Sequence, residues 1–264
     1  MSAPGNSEAN VLDPLVIKLF DTEPAQINQD LGKRVEVHAQ TSDWQSTNIN
    51  GLSICVLEYI GGEQPRMTAM FRLNTELESC GAAGVQIPAV NLELLVQHGM
   101  VADDDTEYLH PFYLRQPKDR TGINQHFTLY PGSQKKMSDD DDQLEFYVAT
   151  GQLEETDTQR RCINLTDHSL WLPGPVEHTE VMPLHMHNGN NSMLVRWLDT
   201  VSFRPRLDPR GEEVLVINGT LTDELGSYTA GSWIRNPVAT WQSWSGNSGT
   251  LIYYKNGHFG TEHN

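Results

Sequence analysis

The chain has 264 residues, 38% of them hydrophobic and 20% charged, which is enough for one large or two ordinary globular domains with a real core. With 18 Lys and Arg against 35 Asp and Glu, its formal charge of −17 repels phosphate backbones and anionic headgroups, which argues against nucleic acid and membrane partners. The 21 Gly and 14 Pro imply many turns and favour an all-β architecture over a helical one.

Residues 1–33 read as a leader with a short helix over 12–20. It has neither the basic n-region of a signal peptide nor an apolar run of membrane-spanning length, and the expectation is a cytoplasmic protein. Cys55, Cys80 and Cys162 are widely spaced, contain no Cys-x-x-Cys, and are expected to be small buried residues in a reducing compartment. From Arg34 onward the local signals are β-signals. RVEVHAQTSDW (34–44) and MFRL (70–73) lead into NLELLVQHGMVADDDTEYLHPFYLRQP (91–117). SDDDDQLEFYVATGQLEETDTQ (138–159) reads as an acidic connecting segment, although LEFYVA within it has strand character. Its Asp run at 139–142 lacks the spaced ligands and turn glycine of a calcium loop and reads as solvated. RCINLTDHSLW (161–171) and LVRW (194–197) follow. EVLVI (213–217) is ended by Asn218-Gly219, SWIR (232–235) is halted by Asn236-Pro237, and TLIYYK (250–255) is strongly β-favouring.

The stretch GEEVLVINGTLTDELGSYTAGSWIRNP (211–237) aligns without a gap on residues 91–117 at an offset of 120. Eight of the 27 positions are identical: Glu93/Glu213, Leu95/Leu215, Val96/Val216, Gly99/Gly219, Asp103/Asp223, Tyr108/Tyr228, Arg115/Arg235 and Pro117/Pro237. The stretches at 34–44 and 70–73 align on 161–171 and 194–197. A tandem duplication follows, with a first barrel over 34–137, a connecting segment over 138–159 and a second barrel over 160–264. About a hundred residues per copy, with a turn every eight to twelve, suit a small antiparallel barrel or sandwich.

The second copy resembles the cupin superfamily. Glu212, followed by six residues and Gly219, matches the second half of that family's motif G-x5-H-x-H-x3-4-E-x6-G. The phrase from Gly211 to Pro237 is similar in particular to the ChrR-like cupins of anti-sigma factors. The resemblance implies two tandem double-stranded β-helix (jelly-roll) barrels, the first degenerate. It also implies a divalent metal (zinc, iron or manganese) held by the two His, the Glu and a later His. In a strand, alternate residues share a face, so an x between two His aims both inward. In this sequence the corresponding positions are Arg206, Asp208, Glu212 and Gln242. Asp208 and Glu212 remain good ligands and Gln242 a weaker one, while Arg206 carries a charge that opposes a cation. Its guanidinium can pair with the two carboxylates inside the barrel or grip the carboxylate or phosphate of a ligand. In copy one, Gln86, Pro88, Leu92 and Gly122 occupy the corresponding places, which leaves no metal of the family type. His126 there reads as structural.

His185 and His187 in LHMH offer an alternative metal site with Glu180, Glu212 or Asp208, or are two hydrogen-bonded histidines on a strand. Trp233, Trp241 and Trp244 cluster in sequence near the second barrel's mouth, where such residues line a ligand pocket or, more commonly, pack in the core. The expected pocket is lined by Arg206, Asp208, Glu212, Trp233 and Gln242. No Gly-rich phosphate loop, G-x-S-x-G or H-E-x-x-H occurs, so no catalytic residue is nominated and the question of an enzyme stays open. The reading that best accounts for the lost histidines is a sensory or small-molecule-binding bicupin. One alternative is a metal-dependent, dioxygenase-like enzyme using Asp208 and Glu212 with Gln242 or the His185/His187 pair. A second is a structural oligomerisation protein. A homodimer is expected to close exposed sheet edges. ChrR-type anti-sigma factors also carry a helical zinc domain with a His-x3-Cys-x2-Cys signature, absent from this sequence, which disfavours direct sigma-factor inhibition.

Overall fold

The computed structural model describes residues 25–49, 51–62, 65–74, 85–88, 92–98, 100–102, 106–109, 111–117, 126–130, 143–152 and 156–259. The expected leader helix, Cys80, the Asp run at 139–142 and Gly122 lie outside them. In chain order the strands are β1 (Val35–Val37), β2 (Gln45–Ser46), β3 (Leu52–Ile60), β4 (Arg66–Asn74), β5 (Val85–Pro88), β6 (Leu92–His98), β7 (Met100–Ala102), β8 (Glu107–Leu109), β9 (Phe112–Gln116), β10 (His126–Tyr130) and β11 (Gln143–Thr150). The second copy continues with β12 (Arg161–Asn164), β13 (Leu172–Pro173), β14 (Thr179–His187), β15 (Asn190–Trp197), β16 (Val201–Ser202), β17 (Arg206–Asp208), β18 (Glu212–Asn218), β19 (Thr220–Thr222), β20 (Ser227–Thr229), β21 (Trp233–Asn236), β22 (Thr240–Gln242), β23 (Ser245–Gly246) and β24 (Leu251–Asn256).

Each copy closes a large sheet over smaller ones. In the first, the order β12-β9-β6-β11-β4-β3-β2 is accompanied by β5-β10-β7-β8. In the second, β1-β21-β18-β24-β15-β14-β13 is accompanied by β16-β23-β19-β20 and the ribbon β17-β22. The fold is all-β with two tandem barrels, as the turn spacing implied. Gly219 sits at φ +75° where the chain leaves β18 for the small sheet. A Cβ there would lie 2.8 Å from the Thr250 backbone, so the Asn218-Gly219 pair makes a corner between sheets.

The apolar runs have a simple cause: the large sheets are buried on both faces. Along β18, Val214 and Val216 point into the second barrel's core with Ile234, Ile252 and Trp244, while Leu215 points the other way. Along β6, Leu92, Leu94 and Val96 fill the first barrel while Leu95 faces out. The outward residues of the two copies share one cluster, in which Leu57, Leu95, Tyr113 and Tyr147 meet Met182, Leu215, Trp233 and Tyr253. A strand covered on both sides loses the alternation of a half-exposed one and reads as continuous hydrophobicity.

Three expectations change here. The interval 138–159, taken as a connection, contains β11, the strand between β6 and β4 in the first sheet. Its aromatic and β-branched LEFYVA outweighs the acidic flanks because the sheet buries it. The edge strands are also exchanged between the copies. Val35–Val37 pairs with Trp233–Arg235 of the second barrel, and Arg161–Asn164 pairs with Phe112–Arg115 of the first. Finally, Cys162 is exposed, whereas Cys55 is buried as expected. No helix among the described residues is long and apolar enough to cross a membrane.

Candidate functional site

Inside the second barrel, β17 and β22 form an antiparallel ribbon that sets Arg206 opposite Gln242 and Asp208 opposite Thr240. Arg206 and Asp208 are two apart and share a face, with Glu212 entering from the start of β18. Arg206 Nη1 donates to Asp208 Oδ2 at 3.0 Å, and Nη2 donates to Glu212 Oε2 at 2.7 Å and to the Tyr254 hydroxyl at 3.0 Å. The guanidinium thus ties the two carboxylates together from inside the barrel, the first of the two outcomes open to it.

Every other face of those carboxylates is capped. Glu212 Oε1 accepts from Asn236 Nδ2 and Trp244 Nε1, each at 3.0 Å. Asp208 accepts from the Arg210 amide at 2.9 Å, the Tyr254 hydroxyl at 3.1 Å and Asn256 Nδ2 at 3.2 Å. Burial opposes ionisation of Asp208, but the Arg210 amide, Asn256, Arg206 and Tyr254 outweigh it and hold its carboxyl below the usual range. Burial and the Glu212 charge push the Tyr254 phenol well above its ordinary value, so it stays a donor. The Arg206 guanidinium is held above its ordinary value, since Tyr254, Glu212 and Asp208 outweigh the cost of its burial. Arg34, just ahead of the exchanged strand β1, extends the network: its Nη1 donates to Asn236 Oδ1 at 2.5 Å and lies 3.4 Å from Gln242 Oε1.

A metal of the family kind does not fit these residues. A cation would need Asp208 and Glu212 lone pairs that five neutral donors and a guanidinium already occupy, and it would meet the Arg206 charge. Arg206, Asp208, Glu212 and Gln242 do come together. Trp233 does not join them: it is opposite Leu215 in register and lies in the cluster between the barrels. The neighbouring tryptophan Trp244 takes the inward place, and Trp241 is exposed on the ribbon. The His185/His187 alternative is also corrected. His185 is buried against Asp157, with Nε2 at 2.6 Å from Oδ2, and His187 Nε2 lies 3.3 Å from Thr156 Oγ1 and 3.0 Å from Asn188 Nδ2. Glu180 pairs instead with Arg196 at 2.6 Å. An irregularity between Pro183 and His185 interrupts the β14 register, so the H-x-H spacing cannot by itself say which face the rings take. Among the described residues no group of three His, Cys, Asp or Glu is arranged to hold a metal.

Beside Arg206 lies a cavity of 670 Å³. Its walls are hydrocarbon and aromatic, with Val181, Met193, Val195, Phe203, Trp244 and Ile252, and its charged lining is Arg204 and Arg206. Among the described residues the first barrel shows no counterpart to the ion cluster. Leu92 stands where Glu212 stands in the second copy and is packed among Leu94, Phe112 and Phe146. Gln86, Pro88 and His126 lie on β5 and β10.

A second polar cluster lies between the barrels, and sequence reasoning missed it. The duplicated pairs Glu93/Arg115 and Glu213/Arg235 are cross-strand neighbours, all pointing outward. Glu93 pairs with Lys255, Arg115 with Asp157, and Arg235 with Glu58. Arg235 also donates to the Asn28 and Asp30 carbonyls at 2.7 and 2.8 Å. Burial alone would raise the Glu93 carboxyl, but Lys255 and Arg115 bring it down to about 2. Burial pushes the His258 imidazole down to about 4, against the pull of Glu213 at 3.0 Å.

Residues 158–260 match the ChrR cupin-like domain family. That match spans nearly all of the second barrel. The chain shares the cupin fold with several solved structures over most of its length. Protein Ylba from E. coli superposes with a TM-score of 0.61 at 10% identity, over 90% of this chain and 96% of that one. A bacterial pirin from Escherichia coli, in complex with nickel(II), gives 0.57 at 11% identity over 85% and 98%. A Cupin 2 conserved barrel domain protein from Leptotrichia buccalis gives 0.52 at 9% identity over 88% and 99%. No curated protein matches this chain in sequence.

Proposed function

We propose that the second barrel is a small-molecule-binding or sensory cupin domain in which the Arg206 guanidinium stands where the family places its metal, with the first barrel as support. One observation carries the reading: Arg206 is bonded to both Asp208 and Glu212 directly beside a 670 Å³ apolar cavity. That volume falls within the range of pockets that enclose small ligands, roughly 300–1,000 Å³. The enzyme alternative would require metal at the same carboxylates, where the guanidinium competes. The oligomerisation alternative would use the large sheet faces, but these pack on each other within the chain.

Metal analysis of protein grown with added iron, zinc and manganese tests the proposal. The expected result is less than one ion per chain, unchanged in Glu212→Gln. A stoichiometric ion that Glu212→Gln releases would overturn it.

A further inference from the structure

The geometry points to an apolar monocarboxylate as the occupant of the second barrel's cavity, its anionic end at Arg204 and Arg206 and its hydrocarbon or aryl body along the Met193–Trp244 wall. This rests on the reading of that barrel as a ligand-binding domain and names the ligand class.

Polarity in the cavity is one-sided. Ser202, Arg204 and Arg206 are alternate residues of one stretch and all line it, joined by Tyr254, whose hydroxyl is already engaged by Arg206 and Asp208. Asp208 and Glu212 do not line it, because their oxygens are turned to Arg206, Tyr254, Asn236, Asn256 and Trp244. A guanidinium has five N–H donors. Arg206 spends one on Asp208, one on Glu212 and one on Tyr254, so Nε–H and one Nη1–H remain, and its side chain is 40% exposed. Arg204 is exposed and has no ion-pair partner among the described residues. One unmatched cation beside a second guanidinium with unused donors suits one carboxylate, the planar acceptor that arginine recognises in bidentate fashion.

The rest of the ligand must be apolar. The walls Val181, Val195, Phe203 and Ile252 offer no partner to hydroxyl groups, and a sugar or nucleotide would bury several unsatisfied polar atoms there. The chain's formal charge of −17 does not prevent entry of an anion. At physiological ionic strength charges are screened beyond about 8 Å, so the two arginines that line the cavity set the charge an entering ligand meets there.

The test titrates the full chain with decanoate, decan-1-ol and decyltrimethylammonium, which share a tail and differ in charge, following tryptophan fluorescence and heat. It is repeated with Arg204→Gln, Arg204→Glu and the cavity-filling Met193→Trp, each checked for an unchanged melting temperature or, for Met193→Trp, a retained cooperative transition. Decanoate is expected to bind roughly tenfold tighter than decanol. Arg204→Gln should remove about fivefold of that preference. Arg204→Glu should favour the cation, and Met193→Trp should weaken all three. Equal binding of decanoate and decanol, indifferent to Arg204→Gln, overturns the acid while leaving a ligand-binding cavity. Absence of binding by any probe, with Met193→Trp indistinguishable from the parent, overturns the acid and the ligand-binding reading together.

Discussion

Replacing Arg206 with histidine converts a counter-ion into a ligand. The change breaks the bridge between Asp208 and Glu212, whose side chains are 4% and 0% exposed. Losing one partner of a fully buried ion pair costs about 3–5 kcal/mol. Here water reaches the 40% exposed Arg206 side chain, and Asn236, Trp244, Tyr254 and Asn256 go on solvating the carboxylates, so a loss of roughly 2 kcal/mol is expected. For a chain of this size that lowers the melting temperature by roughly 4–8 °C. An imidazole at this position, two residues from Asp208 on the same face, vacates the places the guanidinium holds on Glu212 Oε2 and Asp208 Oδ2, and with those two carboxylates forms a three-ligand site of the kind zinc accepts. Metal at a hundred times its dissociation constant then adds about 2.7 kcal/mol, or roughly 5–11 °C. Differential scanning fluorimetry of Arg206→His, Arg206→Met and the parent, with and without zinc or manganese, measures both steps. Only the histidine variant should gain from metal. An equal gain in the methionine variant or in the parent would refute the idea that the guanidinium occupies the metal's place.

Acid should weaken the molecule in two stages. His258 is held neutral in the folded protein with a pKa of about 4. The unfolded chain therefore takes up a proton first as pH falls below about 6.5, and stability on the order of 2 kcal/mol is lost by pH 5. Glu93, held at about 2, contributes stability that is full above about pH 4.5 and lost below it. Urea unfolding at pH 7.5, 5 and 3.5 follows both stages, and His258→Gln should flatten the first; an unchanged slope between pH 7.5 and 5 contradicts it. Trp233→Ala should cost roughly 3–5 kcal/mol, since it empties the inter-barrel core, without altering decanoate binding. Weakened binding with little loss of stability would place that ring back in the pocket.

The strands and the pair of barrels were legible because short β-branched runs, turn pairs and an ungapped repeat point to them directly. Arg206, Asp208, Glu212 and Gln242 were legible through motif spacing, and they do converge. The facing of side chains was harder to read. In TLIYYKN, Ile252, Tyr254 and Asn256 point inward while Tyr253 and Lys255 point to the other barrel, yet neither set is polar enough to mark a surface. Trp233 was misplaced for the same reason. Parity from Glu212 across β18 and β21 would have put Asn236 inside and Trp233 out, but only with the strand register known. The identities Glu93/Glu213 and Arg115/Arg235 were visible as a repeat. Their meaning, a roughly self-complementary face joining two copies, needed the packing of one barrel on the other.

The traded edge strands make the two barrels one indivisible object. A fragment ending after Gly151 would carry Val35–Val37 away from the partner sheet that receives it, and would leave Phe112–Arg115 as a raw border. Cleaved between the copies, the two pieces would each expose an unsatisfied rim complementary to a tongue held by the other, so that they should reassociate only as a reciprocal pair.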